Sequence, residues 1–113
     1  MKPIPKALLI HTVDLQEVIG KDEWGKESLS DPVPLRYVRI EPSSRYVKDK
    51  DHNEIQLAAV LFFDCYNSRP KGQTFCDGQV LAFNGETYRI QLVEPLYDGH
   101  RLHHYELGLI RDA

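Results

Sequence analysis

Five side chains in the second half of the chain could bind zinc or act as nucleophiles: Cys65, Cys76, His100, His103 and His104. Structural zinc sites usually take their ligands in closely spaced pairs held on a turn. Here the cysteines lie far apart, and His103 and His104 are neighbours whose side chains would point to opposite faces of a strand. The spacing therefore disfavours a zinc site. We expect one of these two histidines to pack inward and the other to face solvent.

Neither cysteine has the surroundings of a catalytic thiol. Cys65 lies in the most apolar run, where burial raises a thiol pKa, and Cys76 precedes Asp77, whose carboxylate disfavours the thiolate. The sequence has no phosphate-binding loop, nucleophile elbow or dinucleotide fingerprint. We therefore expect no enzyme, no catalytic residue, no cofactor and no metal. We expect both thiols to be free, as in a reducing cytoplasm.

Acidic residues Asp49 and Asp51, with His52 and Glu54, form a short polar run that superficially resembles the opening of a calcium loop. The specific positions of such a loop do not match, because Glu54 replaces the turn glycine and Val60 replaces the closing bidentate glutamate. We interpret this run as the solvated tip of a hairpin. It is a candidate interface or channel loop.

Strands must position these groups, and the last third of the chain shows them most clearly. Asn84-Gly85 separates two β-type runs, at residues 79–83 and 86–93. This dipeptide favours a type I′ hairpin turn, which requires positive φ at both central residues. A third run at residues 102–110 follows the turn residues 97–100. The chain is thus predicted to end in a three-stranded antiparallel meander.

The rest of the chain also has the pattern of short strands separated by turn-rich connections. Further strands are predicted at residues 7–17, 33–40, 45–48 and 55–66. Both faces of residues 58–63 are apolar, which predicts burial on both sides. Long loops are predicted at about residues 20–34, 42–54 and 67–78. We therefore expect an all-β fold, a small antiparallel, partly closed β-barrel, with residues 1–113 forming one domain.

The only tryptophan, Trp24, lies in the first of these loops, between Glu23 and Gly25. Two interpretations are open: an anchor that folds the loop back on the core, or a contact for a partner. Burial of a large aromatic ring is the more general driving force, so the core anchor is favoured. Trp24 is nevertheless a candidate interface residue.

Composition limits the kinds of partner. The 113 residues carry a net charge of −3, with 27% charged and 42% apolar residues. Electrostatic binding of nucleic acid requires clustered lysine and arginine, which this chain lacks. No run approaches the length of a membrane span, and the start of the chain does not have the pattern of a signal peptide. We expect no membrane partner.

The order and spacing of several segments resemble a known family. These segments are residues 53–68 and 85–90, Trp24-Gly25, residues 38–42 and residues 104–107. Together they are similar to the minor capsid protein family of tailed phages and prophages of Gram-positive bacteria. The resemblance covers about residues 5–110, almost the whole chain.

The resemblance implies a structural virion protein at the head–tail junction, similar to the head-completion or stopper proteins of siphophages. Such proteins form rings beneath the portal or adaptor, close the DNA channel and provide a docking surface for tail proteins. The expected partners are then portal or adaptor, tail proteins and further copies of the chain, with assembly in the host cytoplasm. Packaged DNA would pass without sequence-specific binding. The alternative is a small β-barrel binding module for nucleic acid or another ligand, without enzymatic activity.

Overall fold

The computed structural model describes residues 2–112, and within them the chain forms one short 3-10 helix, Lys6–Leu8, and ten strands. The strands are β1 His11–Gln16, β2 Val18–Lys21, β3 Glu27–Leu29, β4 Val33–Pro42, β5 Tyr46–Lys48, β6 Glu54–Gln56, β7 Ala59–Asp64, β8 Val80–Phe83, β9 Glu86–Asp98 and β10 Arg101–Arg111. None of the helices in this part of the chain is long and apolar enough to span a bilayer.

Six of the strands form a closed antiparallel barrel in the order β1-β4-β7-β10-β9-β8. Pairing of β1 with β8, for example Asp14 opposite Ala82, closes the barrel. The remaining strands form two separate ribbons, β2–β3 and β5–β6. The all-β barrel prediction is confirmed, and the barrel is closed rather than partly closed. Closure pairs the edges that an open sheet would leave exposed.

The barrel interior is filled by alternating apolar side chains from all six strands. Those without solvent exposure include Leu35, Val38, Leu61, Leu81, Ile90, Leu107 and Leu109. Five of the six residues of β7 are buried, and the sixth, Phe62, is half-buried. This confirms the predicted burial of both faces of that run. Phe63 also contacts Phe75 and lies near Tyr105, which extends the core to the loop at residues 67–78.

The closing meander is confirmed. Asn84 and Gly85 have φ of 53° and 80°, the positive values that a type I′ turn requires. Strand β9 continues five residues past the predicted end at residue 93. Pro95 is tolerated there because this half of β9 pairs only with β10, so the missing N–H faces no partner strand.

Two observed strands differ from their predictions, one in where it begins and the other in its continuity. The strand predicted at residues 7–17 starts only at His11, because a 3-10 turn follows Pro5. The run at residues 55–66 is divided between β6 and β7. At the break, the Leu57 N–H bonds to the Arg45 carbonyl in the ribbon, and the Ala58 N–H bonds to the Leu109 carbonyl in the barrel. At this point the chain therefore stops pairing with the ribbon and begins to pair with the barrel.

The segment at residues 20–34 was predicted as a loop, and this was wrong in part. It contains most of the β2–β3 ribbon, with turn residues confined to the tip at 22–26 and the connection at 30–32. The Ser30 N–H bonds to the Glu17 carbonyl and closes the base of the ribbon. The turn-favouring residues of this segment therefore form one tight turn and one connection. The segment at residues 67–78 lacks named strands and is joined to β4 by paired Arg36–Arg69 backbone bonds.

Candidate functional site

The tip of the β2–β3 ribbon is a tight turn organised by Asp22. One carboxylate oxygen of Asp22 accepts hydrogen bonds from the N–H groups of Trp24, at 2.9 Å, and Lys26, at 2.8 Å. The Asp22 N–H donates to the Lys26 carbonyl, and Gly25 has φ of +83°. A side chain that caps its own turn in this way removes much of the freedom of the loop. The tip is thus a braced projection.

The tip of the β5–β6 ribbon has the same construction. One carboxylate oxygen of Asp49 accepts from the Asp51 and Asn53 N–H groups, both at 2.9 Å, and the Asp49 N–H donates to the Asn53 carbonyl. His52 occupies the positive-φ position, at 63°, where the first tip has glycine. The Asp49 carboxylate therefore holds the turn. This use of its oxygens agrees with the interpretation of a hairpin tip.

Trp24 does not anchor its loop on the core, so that interpretation was wrong. Its side chain is 83% exposed, the largest exposure among the bulky apolar residues described. An aspartate followed three residues later by glycine, between two short β-type runs, is the signal that could have predicted this hairpin tip.

The β2–β3 ribbon is fastened to the barrel by ion pairs around Arg89, which binds Glu27 at the end of β3 next to the tip. The Arg89 guanidinium contacts Glu27 at 2.6 Å and Asp112 at 2.9 Å, and it also donates to the Gly78 carbonyl. Hydrogen bonds to Glu27 and then to Asp112 raise the pKa of Arg89 above its already high value, and the Arg89 hydrogen bond lowers the pKa of Glu27. These contacts fix the direction of the ribbon.

The β5–β6 ribbon lies beside β9 and the loop at residues 67–78. Arg45 pairs with Glu94 at 3.3 Å, and Lys50 pairs with Asp77 at 3.4 Å. A cleft of about 580 Å³ lies among the ribbon tip, residues 75–77 and residues 91–93. Exposed ion pairs of this kind contribute little stability, so the second ribbon is held less firmly than the first.

The predicted candidate residues therefore lie on two separate ribbons. Trp24 is at one tip, and Asp49, Asp51, His52 and Glu54 are at the other. Asp51, His52 and Glu54 are exposed, whereas Asp49 is half-buried against its own turn. The structure groups the four polar residues and does not bring Trp24 to them.

A buried carboxylate that the sequence analysis missed organises a third region. Asp64, at the end of β7, has no solvent exposure. It accepts hydrogen bonds from the N–H groups of Ile4, Tyr66 and Asn67 at 2.7–3.1 Å. The Asn67 amide in turn donates to the Ile4 carbonyl. The spacing of Asp64, Asn67 and Ser68 after a strand is the signal of a capped turn. These bonds tie the start of the chain to the end of β7.

His103 and His104 are adjacent to this region, and the expectation that one packs inward and one faces solvent was wrong. Both are half-buried, with their Nδ1 atoms 2.7 Å apart. The register of β10 shifts between Leu102 and His104, and such a bulge removes the alternation of faces. The stretch of strand that carries this pair is therefore irregular.

Each histidine of the pair also contacts a polar group outside the pair. His103 Nε2 faces the Lys2 carbonyl at 2.7 Å, and His104 Nε2 faces the Glu106 carboxylate at 2.9 Å. These contacts join the start of the chain to Glu106 through the two imidazole rings.

A pocket of about 910 Å³ opens beside the Asp64 turn. Its lining residues are Pro3, Asp64, Cys65, Tyr66, Lys71, Asp98, Arg101, Leu102 and His103. The Lys71 ammonium lies 5.0 Å from the centre of the Tyr66 ring. Burial, and then the neighbouring Asp64 charge, raise the pKa of the Cys65 thiol, which agrees with the sequence interpretation. Cys65 is half-buried and Cys76 is exposed, and both are free thiols.

The described residues do not group metal ligands, but they expose several large aromatic rings. Within residues 2–112, no three histidine, cysteine, aspartate or glutamate side chains come together in a way that could hold a metal ion. Large aromatic rings are instead exposed on the surface: Trp24, Tyr66 at 65%, Tyr46 at 61% and Tyr97 at 60%. Exposed aromatic side chains of this kind are enriched where proteins contact one another.

Comparison with protein-family models matches residues 5–109 to a family described as minor capsid protein. No curated protein and no solved structure matched the chain. The family match covers nearly all of the chain, and it supports a structural phage protein of the virion. This chain therefore belongs to the minor capsid protein family.

Proposed function

We propose that this protein is a head–tail connector component, of the head-completion or stopper type. The observation that carries the proposal is a closed barrel with two capped ribbons, in a chain of the minor capsid protein family. A rigid barrel gives each copy a fixed shape, and projecting ribbons with exposed side chains supply contacts to neighbours. Repetition of such contacts around an axis builds a ring.

The partners in this proposal are the portal or adaptor on the head side, tail proteins on the other side and further copies of the chain. The protein would occupy the head–tail junction of the virion after assembly in the host cytoplasm. Packaged DNA would pass through the ring without sequence-specific contacts. The net charge of −3 supports this, because it does not favour a stable electrostatic contact with the phosphate backbone.

The acidic tip of the β5–β6 ribbon is the proposed channel lining. Asp51 and Glu54 are exposed, and neither side chain is used to cap the turn. Carboxylates in these positions would repel DNA phosphates and let the DNA slide. Reversal of both charges, Asp51→Lys with Glu54→Lys, is then expected to slow DNA release or reduce packaging. DNA retention and ejection identical to the wild type would contradict the channel role.

The connector role is tested by recovery of a tagged copy from the lysate of an induced host, with mass spectrometry of the proteins that co-purify. Portal, adaptor or tail proteins are the expected result. Deletion of the gene should also leave unjoined heads and free tails in electron micrographs, and expression of the intact chain should restore joined particles. Recovery of metabolic enzymes or RNA, together with normal particles in the deletion strain, would overturn the proposal.

A further inference from the structure

We propose that the Trp24 tip of one copy docks into the Tyr66–Leu102 pocket of a neighbouring copy. The pocket is the 910 Å³ opening described above. The inference rests on the proposed function, because a connector ring requires a repeated contact between copies. It specifies the two surfaces that meet and the side chains that hold them.

Hydrogen bonds hold the backbone of the projecting half of this contact. Trp24 is 83% exposed, on a turn that the Asp22 carboxylate caps twice. The Arg89–Glu27 ion pair holds the same ribbon to the barrel just beside the tip. A preorganised aromatic side chain loses little conformational freedom on binding, which is the property of an interface anchor.

The receiving half has the surfaces that an indole ring requires. Tyr66, 65% exposed, and the half-buried Leu102 supply aromatic and aliphatic faces, and Pro3 adds a further apolar face. A volume of about 910 Å³ accommodates the ring together with the neighbouring residues of the tip. The Asp64 hydrogen bonds fix the turn that carries Tyr66. Both halves are therefore preformed.

Charges on the two halves are complementary. Glu23 precedes Trp24 at the tip, and Lys71 and Arg101 are exposed among the lining residues of the pocket. The tip also carries Lys26, and the pocket also carries Asp98. On the tip, Glu23 and Lys26 thus lie on either side of Trp24. The pocket has two basic residues and one acidic residue. Complementary charges select the partner and its orientation.

The contact joins two different surfaces of the same chain. The tip belongs to the β2–β3 ribbon, whereas the pocket is lined by the start of the chain, the turn after β7 and the β9–β10 hairpin. Each copy therefore presents one tip and one pocket. Such a heterologous contact repeats from copy to copy and closes into a ring when the rotation between copies allows it.

Fluorescence of the intact protein tests the docking directly, because Trp24 is the only tryptophan. Emission and sedimentation are measured together as the protein concentration is raised to its solubility limit. We expect emission of a solvent-exposed indole from the monomer, and a shift to shorter wavelength that follows the formation of larger species. Association without this shift, or a monomer with unchanged emission throughout, would overturn the docking.

Charge variants distinguish this contact from nonspecific association. Lys71→Glu and Glu23→Lys each leave Trp24 in place, and each should weaken association and the emission shift by about tenfold or more. The combination of the two should recover most of the loss. Lys48→Glu on the other ribbon is the matched control, with the same charge change, and should have no effect. An equal effect of Lys48→Glu, or no recovery in the combined variant, would contradict the proposed pairing.

The outcomes separate this inference from the connector role. If portal and tail proteins are recovered with the tagged copy but Trp24 emission does not shift on association, the connector role is retained and the docking is rejected. If the charge variants abolish the shift in Trp24 emission but no portal, adaptor or tail proteins are recovered, the contact between copies is retained and the connector role is rejected.

Discussion

His52 is the one residue of the two matching tips that has an unfavourable backbone conformation. It has φ of 63°, where the equivalent residue of the other tip is Gly25. A side chain in the left-handed region costs about 1 kcal/mol, and glycine avoids this cost. We therefore expect His52→Gly to increase the free energy of unfolding by up to about 1 kcal/mol, measured by urea denaturation.

The control for this variant is Asp51→Gly in the same turn, where φ is not positive and glycine adds only freedom to the unfolded chain. That change should be neutral or destabilising. A His52→Gly protein no more stable than the wild type would mean that the imidazole contributes a contact that offsets its backbone cost.

The two cysteines are expected to differ in reactivity. Burial and the Asp64 charge raise the pKa of Cys65, and its side chain is only partly accessible, whereas Cys76 is exposed. A raised pKa leaves less Cys65 thiolate at neutral pH, so the reactivity of Cys65 rises only as the solution becomes more alkaline. Cys76 should therefore be alkylated first by iodoacetamide at pH 7, as followed by mass spectrometry.

Single-cysteine variants, Cys76→Ser and Cys65→Ser, allow each rate to be measured alone. Faster alkylation of Cys65 at neutral pH would contradict the expected order. It would show that the pocket beside Asp64 stabilises the thiolate.

At the scale of elements, Gly108 in β10 lies close to Leu57 in the segment that joins β6 to β7. A Cβ added there would lie 3.1 Å from Leu57 Cδ2 and 3.1 Å from Leu92 Cβ. Leu57 is 2% exposed, so it has little room to move. Crowding costs of about 1–3 kcal/mol exceed the roughly 0.5–1 kcal/mol that alanine gains over glycine in a strand.

Gly108→Ala should therefore reduce the free energy of unfolding by about 1 kcal/mol, measured by chemical denaturation. Gly20→Ala in β2 is the matched control, because its added Cβ would meet nothing within 4 Å. A Gly108→Ala protein as stable as the Gly20→Ala protein would show that Leu57 can rearrange.

The elements that the sequence predicted well are those with strong local signals. The Asn84-Gly85 turn and the apolar run of β7 specify their structures almost independently of the rest of the chain. The break between β6 and β7 could not be predicted, because it depends on a change of pairing partner from Arg45 to Leu109. The position of Trp24 was missed because the turn residues were interpreted as a loop and burial of the ring was favoured, although Asp22 and Gly25 together specify a hairpin tip.

The pocket was also beyond prediction from local patterns. Its lining combines residue 3, the turn after β7 and the β9–β10 hairpin, which only the closed barrel brings together. The histidine pair depends on a bulge in β10, and no local pattern in the sequence marked that shift of register. Strand content was therefore predictable, whereas the surfaces formed between distant segments required the topology.

For the whole molecule, the barrel and the ribbons should differ in local stability. Barrel strands share one core and a closed hydrogen-bond network, while each ribbon pairs only with itself. Amides that exchange only on global unfolding lie in such a core, and peripheral elements open with lower free energy. We expect the slowest hydrogen exchange in β4, β7 and β10, and faster exchange in the β5–β6 ribbon, measured by mass spectrometry or NMR.

The β2–β3 ribbon should exchange more slowly than β5–β6, because Arg89 fastens it to the barrel through Glu27. Arg89→Met should remove this difference and leave the barrel amides protected. Equal exchange of the two ribbons in the wild type would show that the Arg89 ion pairs do not restrict the ribbon.

The fastening of Ile4 to Asp64 and of Asp112 to Arg89 has a practical consequence for labelling. A peptide tag joined ahead of residue 2 would emerge beside the 910 Å³ pocket, and one joined after residue 112 would emerge near the Arg89 contacts of the Trp24 ribbon. Either tag could block the contacts that a capture experiment is meant to preserve. The exposed Asn84-Gly85 turn lines neither the 910 Å³ pocket nor the 580 Å³ cleft, so an epitope inserted there would leave both of these openings accessible.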